Sequence, residues 1–232
     1  MDSNVFGSFC PHRAGSAYIN YKGFHSLILL AIVSYNYILV AYELGAPGRD
    51  SDSGVLERSQ FGQALRARTL PLPDPQVLPG TNVLMPPVFV GDEAFALLPN
   101  LMRPYPGRDG GRLTELEDHF NYRLSRARKV SENFFAILQS RFRIYEGPII
   151  AATPQTVATK VRATLVLHNW LQRKSNIRGH RYVDVNPPQV NNNFLELDSD
   201  IIENAEATAI RSTFARFFSS RQGRVQWRWQ HY

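Results

Sequence analysis

The sequence predicts a mixed α/β domain, and three features of its 232 residues lead there. Apolar runs of strand length come early, at 24–33 and 37–43, and a third follows at 87–91. Longer stretches with apolar residues at three- and four-residue steps come late, at 121–139, 153–173 and from 199 onward. Strands first and helices afterwards suit a mixed sheet with helices packed on it. The composition agrees. At 44% hydrophobic, 12% aromatic and 20% charged the chain is globular, which excludes a disordered polyampholyte, a collagen-like chain and a coiled coil. No internal repeat or low-complexity tract interrupts it. We divide it into a domain over 1–182 and a C-terminal loop and amphipathic helix over 183–232 that pack on that same domain.

Residues 1–21 read as irregular. Residues 23–42 carry no formal charge over 20 positions, the length of a bilayer span. A buried hairpin fits them better, because Ser34-Tyr35-Asn36-Tyr37 is a polar, turn-capable break between two short runs rich in Ile, Leu, Val and Tyr. Lys22 and Glu43 flank the run without a basic cluster, so no membrane partner is expected. Gly45 to Arg49 is a turn, and Asp52-Ser53-Gly54 opens a short helix with Asp or Ser as its cap. Six prolines make 69–87 a loop, Pro87 to Gly91 is a short strand ending at Asp92, and 94–102 look helical. Gly107 to Gly111 is a turn. Leu124, Ala127, Val130, Phe134, Ile137 and Leu138 mark the next helix, and Thr153-Pro154 caps another that runs to about Arg173. Residues 183–195 are loop, and Ser199 or Asp200 starts the last helix.

The charge is uneven. Basic residues number 26 against 20 acidic, net +6, and 22 of the 26 are Arg. Residues 1–100 carry 6 basic and 8 acidic side chains, net −2, whereas 101–232 carry 20 and 12, net +8. An Arg-biased basic half suits a planar, multidentate anion such as phosphate. Cys10 stands alone, which excludes an intramolecular disulfide and a Cys-rich zinc module. The six histidines show no zinc spacing, and His168, in an apolar helix, reads as a hydrogen-bonded core residue. There is no signal-peptide pattern, P-loop, Rossmann glycine signature or Gly-x-Ser-x-Gly.

Two carboxylates are well placed for chemistry. Asp92 follows an apolar strand, so it should project from a strand end. Glu132 is the only acid between Asn121 and Arg143, among Arg123, Arg126, Arg128, Lys129, Arg141 and Arg143. One reading makes Arg128 and Glu132 a helical ion pair. The sharper one has Asp92 and Glu132 hold Mg²⁺ or Mn²⁺ while neighbouring cations grip phosphates. Asp50 and Asp52 could also bind a metal, although a turn and helix cap explain them locally.

Several stretches together resemble the nuclease domain of PIF/Harbinger-type DDE transposases and the host genes derived from them. They are Gly15 to Ser26, Gly45-Ala46-Pro47-Gly48-Arg49 with Ser51-Asp52, Val90-Gly91-Asp92-Glu93-Ala94-Phe95, and Leu101 to Gly107. Phe120 to Arg128 with Glu132-Asn133, Arg141-Phe142-Arg143, Leu167-His168-Asn169 and the region Arg211 to Trp227 complete the set. The resemblance implies an RNase H-like fold, a five-stranded mixed sheet flanked by helices. It also implies a metal-dependent DNA endonuclease using three carboxylates and two Mg²⁺ or Mn²⁺ ions. Glu132 matches the third carboxylate, and Asp92, after the fourth strand, matches the second. Asp52 is then an auxiliary acid or a structural cap. The family's Asp-Gly-x-His lies about eight residues before a Cys-Pro; counting back from Cys10-Pro11 gives Asp2 as the first acid. Asp2 is followed by Ser3-Asn4-Val5, and only Met1 precedes it, so the first strand is expected to be truncated. Ser34 stands where the family commonly has Asp. Arg123, Arg126, Arg128 and Lys129 are expected to contact DNA phosphates. A Myb-like DNA-binding partner protein and location in the nucleus, with cytoplasm as a second site, follow from the resemblance alone. The alternative is a catalytically impaired remnant that binds DNA or a protein partner.

Overall fold

The apolar run that begins the second strand shows how the fold is organised. In the computed structural model, Leu27, Ile28, Leu29, Leu30, Ala31 and Ile32 are all buried, so both faces of this strand are covered. The structure describes residues 1–7 (backbone alone over 2–7), 16, 18–20, 23–107, 113–151, 153–177 (backbone alone over 176–177) and 205–224. Cys10, the loop at 183–195, the end of the glycine turn after Gly107 and the helix start at Ser199 or Asp200 lie outside them. The chain forms two compact units. One comprises Met1–Ala64 with Arg128–Asp198, the other Leu65–Ala127 with Ser199–Tyr232.

The first unit is built on an antiparallel sheet of order β1-β2-β3, with β1 Asp2–Gly7, β2 Ser26–Val33 and β3 Leu39–Pro47. Within the N-terminal stretch expected to be irregular, residues 2–7 are therefore a strand. It pairs with β2 along its whole length, from Asp2 opposite Ala31 to Gly7 opposite Ser26. The uncharged run at 23–42 is the β2–β3 hairpin. Its turn is closed by Ser34 N–H donating to Ile38 O at 3.0 Å, with Tyr37 at φ 60°. Among the described residues no helix is long and apolar enough to cross a membrane.

Two helices follow, α1 Asp52–Arg58 and α2 Gln60–Arg66. The N-cap of α1 is Ser51, whose hydroxyl accepts from Gly54 N–H. Gly62 lets the two helices turn tightly, because a Cβ there would lie 1.8 Å from Leu56 O. The core of this unit sets Leu27, Leu29 and Ala31 of β2 against Phe134, Phe135 and Leu138 of α3 (Glu115–Arg141), and against Val157, Val161 and Leu165 of α4 (Pro154–Ile177). A 3-10 turn at Arg143–Tyr145 joins these helices, and the Tyr145 hydroxyl hydrogen-bonds that of Thr164. Burial pushes the Tyr145 phenol up to about 12.

Polar side chains of α4 hold the hairpin turn. Gln172 donates to Asn36 O at 3.2 Å and His168 Nε2–H to Tyr37 O at 2.9 Å. Asn169 accepts from Leu39 N–H and donates to Leu39 O, both at 2.9 Å. Arg141 of α3 completes the network, donating to His168 Nδ1 at 3.4 Å and to Gln172 Oε1 at 3.1 Å. His168 is the hydrogen-bonded core histidine expected, with the Phe134 ring edge-on at 4.9 Å.

In the second unit, β4 Gln76–Val77 and β5 Leu84–Met85 form a small antiparallel hairpin inside the proline-rich loop. β6 Phe89–Val90 runs parallel to β7 Leu101–Met102. Residues 94–102, expected to be helical, instead make a turn and β7. Pro99 falls inside that window, where it would break a helix, and Phe95 and Leu97 are buried without helical spacing to a common core face. The residues of α3 that belong to this unit begin with a reciprocal cap. Thr114 N–H donates to Glu117 Oε2 at 2.9 Å and Glu117 N–H to Thr114 Oγ1 at 3.3 Å, so the helix starts earlier than the apolar pattern suggests. Phe120 and Leu124 pack with Met102 of β7 and with Ala207 and Ala215 of α5 (Ala205–Ser219). The observed class is mixed α/β. Among the described residues the pairings form one three-stranded and two two-stranded sheets.

Replacing Asn169 by Ala strands the Leu39 N–H and C=O, and should cost about 2–4 kcal/mol in urea denaturation. His168 titrates below the usual histidine range because it is buried; its bond to Tyr37 O opposes that shift, and Arg141 adds to it. With the folded value depressed, the stability contribution is complete above about pH 6.5 and is lost as pH falls below it. Thermal unfolding should therefore show a midpoint that drops between pH 7.5 and pH 5 (roughly the span of histidine titration), and a smaller drop in His168→Gln.

Candidate functional site

Glu132 lies on α3 between two residues that anchor its helix turn. Ser131 is buried, and its hydroxyl accepts from the Met1 nitrogen at 3.3 Å. Asn133 donates to the Tyr37 hydroxyl at 3.4 Å. The start of β1 and the Glu132 turn therefore meet within the first unit, and Asp2 is one residue along the chain from that contact. The side chain of Asp2 lies outside the described side chains.

Glu132 itself is half-buried. The Arg128–Glu132 ion pair does not form, and among the described residues Glu132 has neither an ion-pair nor a hydrogen-bond partner. Its neighbours on the helix are bound and Glu132 is not.

Asp52, in the same unit, occupies the first turn of α1, where a negative charge favours the helix dipole. The capping itself falls to Ser51, and Asp50 is ion-paired with Arg58.

Asp92 belongs to the second unit and lies two residues after the end of β6. Its Oδ1 accepts from Ala94 N–H at 3.0 Å, which makes the turn that ends the strand. Gly91 before it donates to Met102 O at 2.9 Å and is tightly packed, since a Cβ there would lie 2.7 Å from Phe95. Among the described residues no group of three or more His, Cys, Asp or Glu is placed to hold a metal ion.

The basic residues of α3 divide by environment. Arg126 and Lys129 are exposed and Arg128 is half-buried. Arg123 is engaged within the protein, where its guanidinium lies 4.6 Å over the Phe218 ring and donates to Gly223 O at 3.1 Å. Ser131, Asn133 and Tyr37 do not stand out in the sequence. The Glu132-Asn133 pair in the family-like stretch hints at Asn133, and the polar break at 34–37 marks Tyr37 only as a turn residue.

The family model "DDE superfamily endonuclease" matches residues 3–169, a span that contains Asp52, Asp92 and Glu132 and begins one residue after Asp2. The human protein named "Putative nuclease HARBI1" is 27% identical over 161 residues, 68% of this chain and 41% of its own length. The mouse protein of that name shows the same values. "Protein ALP1-like" of Arabidopsis thaliana is 30% identical over 151 residues, 62% of this chain and 34% of its own length. The chain thus spans less than half the length of these curated relatives. No solved structure matches it. With the family match covering well over half of its residues, the chain belongs to the DDE superfamily endonucleases.

Proposed function

We propose that this chain is a divalent-metal-dependent DNA endonuclease of transposase origin, acting on phosphodiester bonds. The observation that carries the proposal is the family match across residues 3–169. The contact between Met1 and Ser131, which adjoins both Asp2 and Glu132, supports the assignment of two of the acids. On this reading Asp2, Asp92 and Glu132 are the catalytic carboxylates, Asp52 is auxiliary, and the strands belong to an RNase H-like five-stranded sheet.

The donor set suits the metal. Carboxylate oxygens are hard ligands that fit Mg²⁺ or Mn²⁺, and the partnerless oxygens of Glu132 agree with such a role. When bound, two such ions supply activation of water or a 3′-OH and stabilisation of the leaving oxygen. The chain's own contribution is to hold the acids and the DNA backbone. Exposed Arg126 and Lys129, with half-buried Arg128, are suited to phosphates, which positions DNA without reading its sequence. Arg123 is the weakest of the four assignments because its guanidinium is engaged internally. A Myb-like partner protein and action in the nucleus complete the proposal.

A second reading rests on Asp2, whose following residues are Ser3-Asn4-Val5 rather than Gly-x-His. On that reading the chain keeps DNA or protein binding and has lost cleavage.

Supercoiled plasmid separates the two. The nuclease should nick it with Mg²⁺ or Mn²⁺, and Glu132→Gln or Asp92→Asn should slow nicking by roughly 100-fold or more. Binding without nicking in the wild type favours the remnant, and equal nicking in all three proteins removes the assigned acids. Duplex affinity should fall steeply with salt, and Arg126→Ala and Lys129→Ala should each lower the slope by about 1. Arg123→Ala should instead destabilise the fold by about 1–2 kcal/mol, read from denaturant midpoints.

A further inference from the structure

We propose that the outer face of α4 is a docking seam for an acidic amphipathic helix of a partner protein. The helix has two apolar faces. Its inner face, with Val157, Val161 and Leu165, is fully used in the core of the first unit. On the opposite side Ala163, Val166, Leu167, Trp170 and Leu171 recur at steps of three, four, seven and eight, the spacing of one continuous helical stripe. Val166 is 69% exposed, Leu167 48%, Trp170 54% and Leu171 38%. A folded helix gains nothing from displaying such a stripe to water, and contiguous exposed apolar patches mark interaction sites. A seam of this periodicity is what another helix reads with its own i, i+3, i+4 and i+7 anchors.

Charge selects the partner. From Pro154 to Ile177 the helix has no acidic residue and four basic ones, Lys160, Arg162, Arg173 and Lys174. Arg162 and Arg173 border one edge of the stripe by helical spacing. Lys174 lies in line with it, its Nζ 4.6 Å over the Trp170 ring. A second copy of this face would set these four cations against four more, which disfavours a symmetric pair. A helix with an apolar stripe and flanking Glu or Asp meets both the seam and its border. Trp170 is the natural anchor, since aromatic and Arg side chains dominate binding energy at such contacts.

The seam uses none of the acids assigned above, and it can be read whether or not the chain cleaves DNA. The probes are two dye-labelled synthetic helical peptides of roughly 20 residues with the same Leu stripe, one flanked by Glu and the other by Lys. Fluorescence anisotropy should show the full chain binding the Glu-flanked peptide and discriminating against the Lys-flanked one. Leu167→Glu should weaken binding by roughly 10-fold or more, with its unfolding midpoint unchanged because the side chain is exposed. The double variant Arg173→Glu, Lys174→Glu should shift preference toward the Lys-flanked peptide. Four outcomes overturn the proposal. They are no binding of the Glu-flanked peptide, equal binding of both peptides, Leu167-dependent binding to phosphatidylserine vesicles in place of peptide, and a dimer in sedimentation that Leu167→Glu dissolves.

Discussion

The first unit depends on how the backbone of one hairpin turn is satisfied. Residues 36–39 sit against α4, where unpaired carbonyls and amides would each cost about 1–3 kcal/mol. Gln172, His168 and Asn169 supply four hydrogen bonds to that backbone, and Arg141 ties Gln172 and His168 to α3. The network also fixes the state of His168. With Nε2 donating to Tyr37 O and Nδ1 accepting from Arg141, the ring is neutral, and a second proton would meet the guanidinium at 3.4 Å. The depressed titration of this histidine follows from being buried in that place.

The same turn reaches the candidate site. Tyr37 takes a left-handed conformation that costs roughly 1–2 kcal/mol for an aromatic residue, and the bonds on either side of it hold it there. Its hydroxyl accepts from Asn133, next to Glu132. His168 and Asn169, in one of the stretches that carry the family resemblance, are thus part of the scaffold that holds the turn around Tyr37.

Sequence reasoning reached the parts whose causes are local. The hairpin was legible because a polar break interrupts two apolar runs, and α4 because Thr153-Pro154 marks its start. β1 was not, since Asn4 and Gly7 are poor strand formers and pairing with β2 makes the strand. β7 was hidden because the apolar residues of 94–102 imitate helical spacing if Pro99 is ignored. The first turns of α3 were readable in Thr114 and Glu117, a reciprocal cap that the apolar period does not include. At the site, Glu132 stood out by charge contrast. Ser131 and Asn133 did not, because their partners are 130 and 96 residues away in the chain.

The Arg bias acquires two physical causes instead of one. Residues 121–143 hold six basic residues and one acid, net +5, which suggests a surface made for phosphate. Arg141 is spent on the hairpin clasp, Arg123 on Phe218 and Gly223, and Arg143 on Glu146. Beyond that window, Arg211 is buried with its guanidinium 4.0 Å over the Tyr105 ring and a hydrogen bond to Pro104 O. Each of the stacked or clasping positions needs a flat cation that lies on a ring or donates in fixed directions, which Lys cannot supply. Of the four cations proposed for DNA contact on this helix, Arg126 and Lys129 are exposed and Arg128 is half-buried. Those three are the nearest cations in sequence to Glu132, the one acid of that basic window.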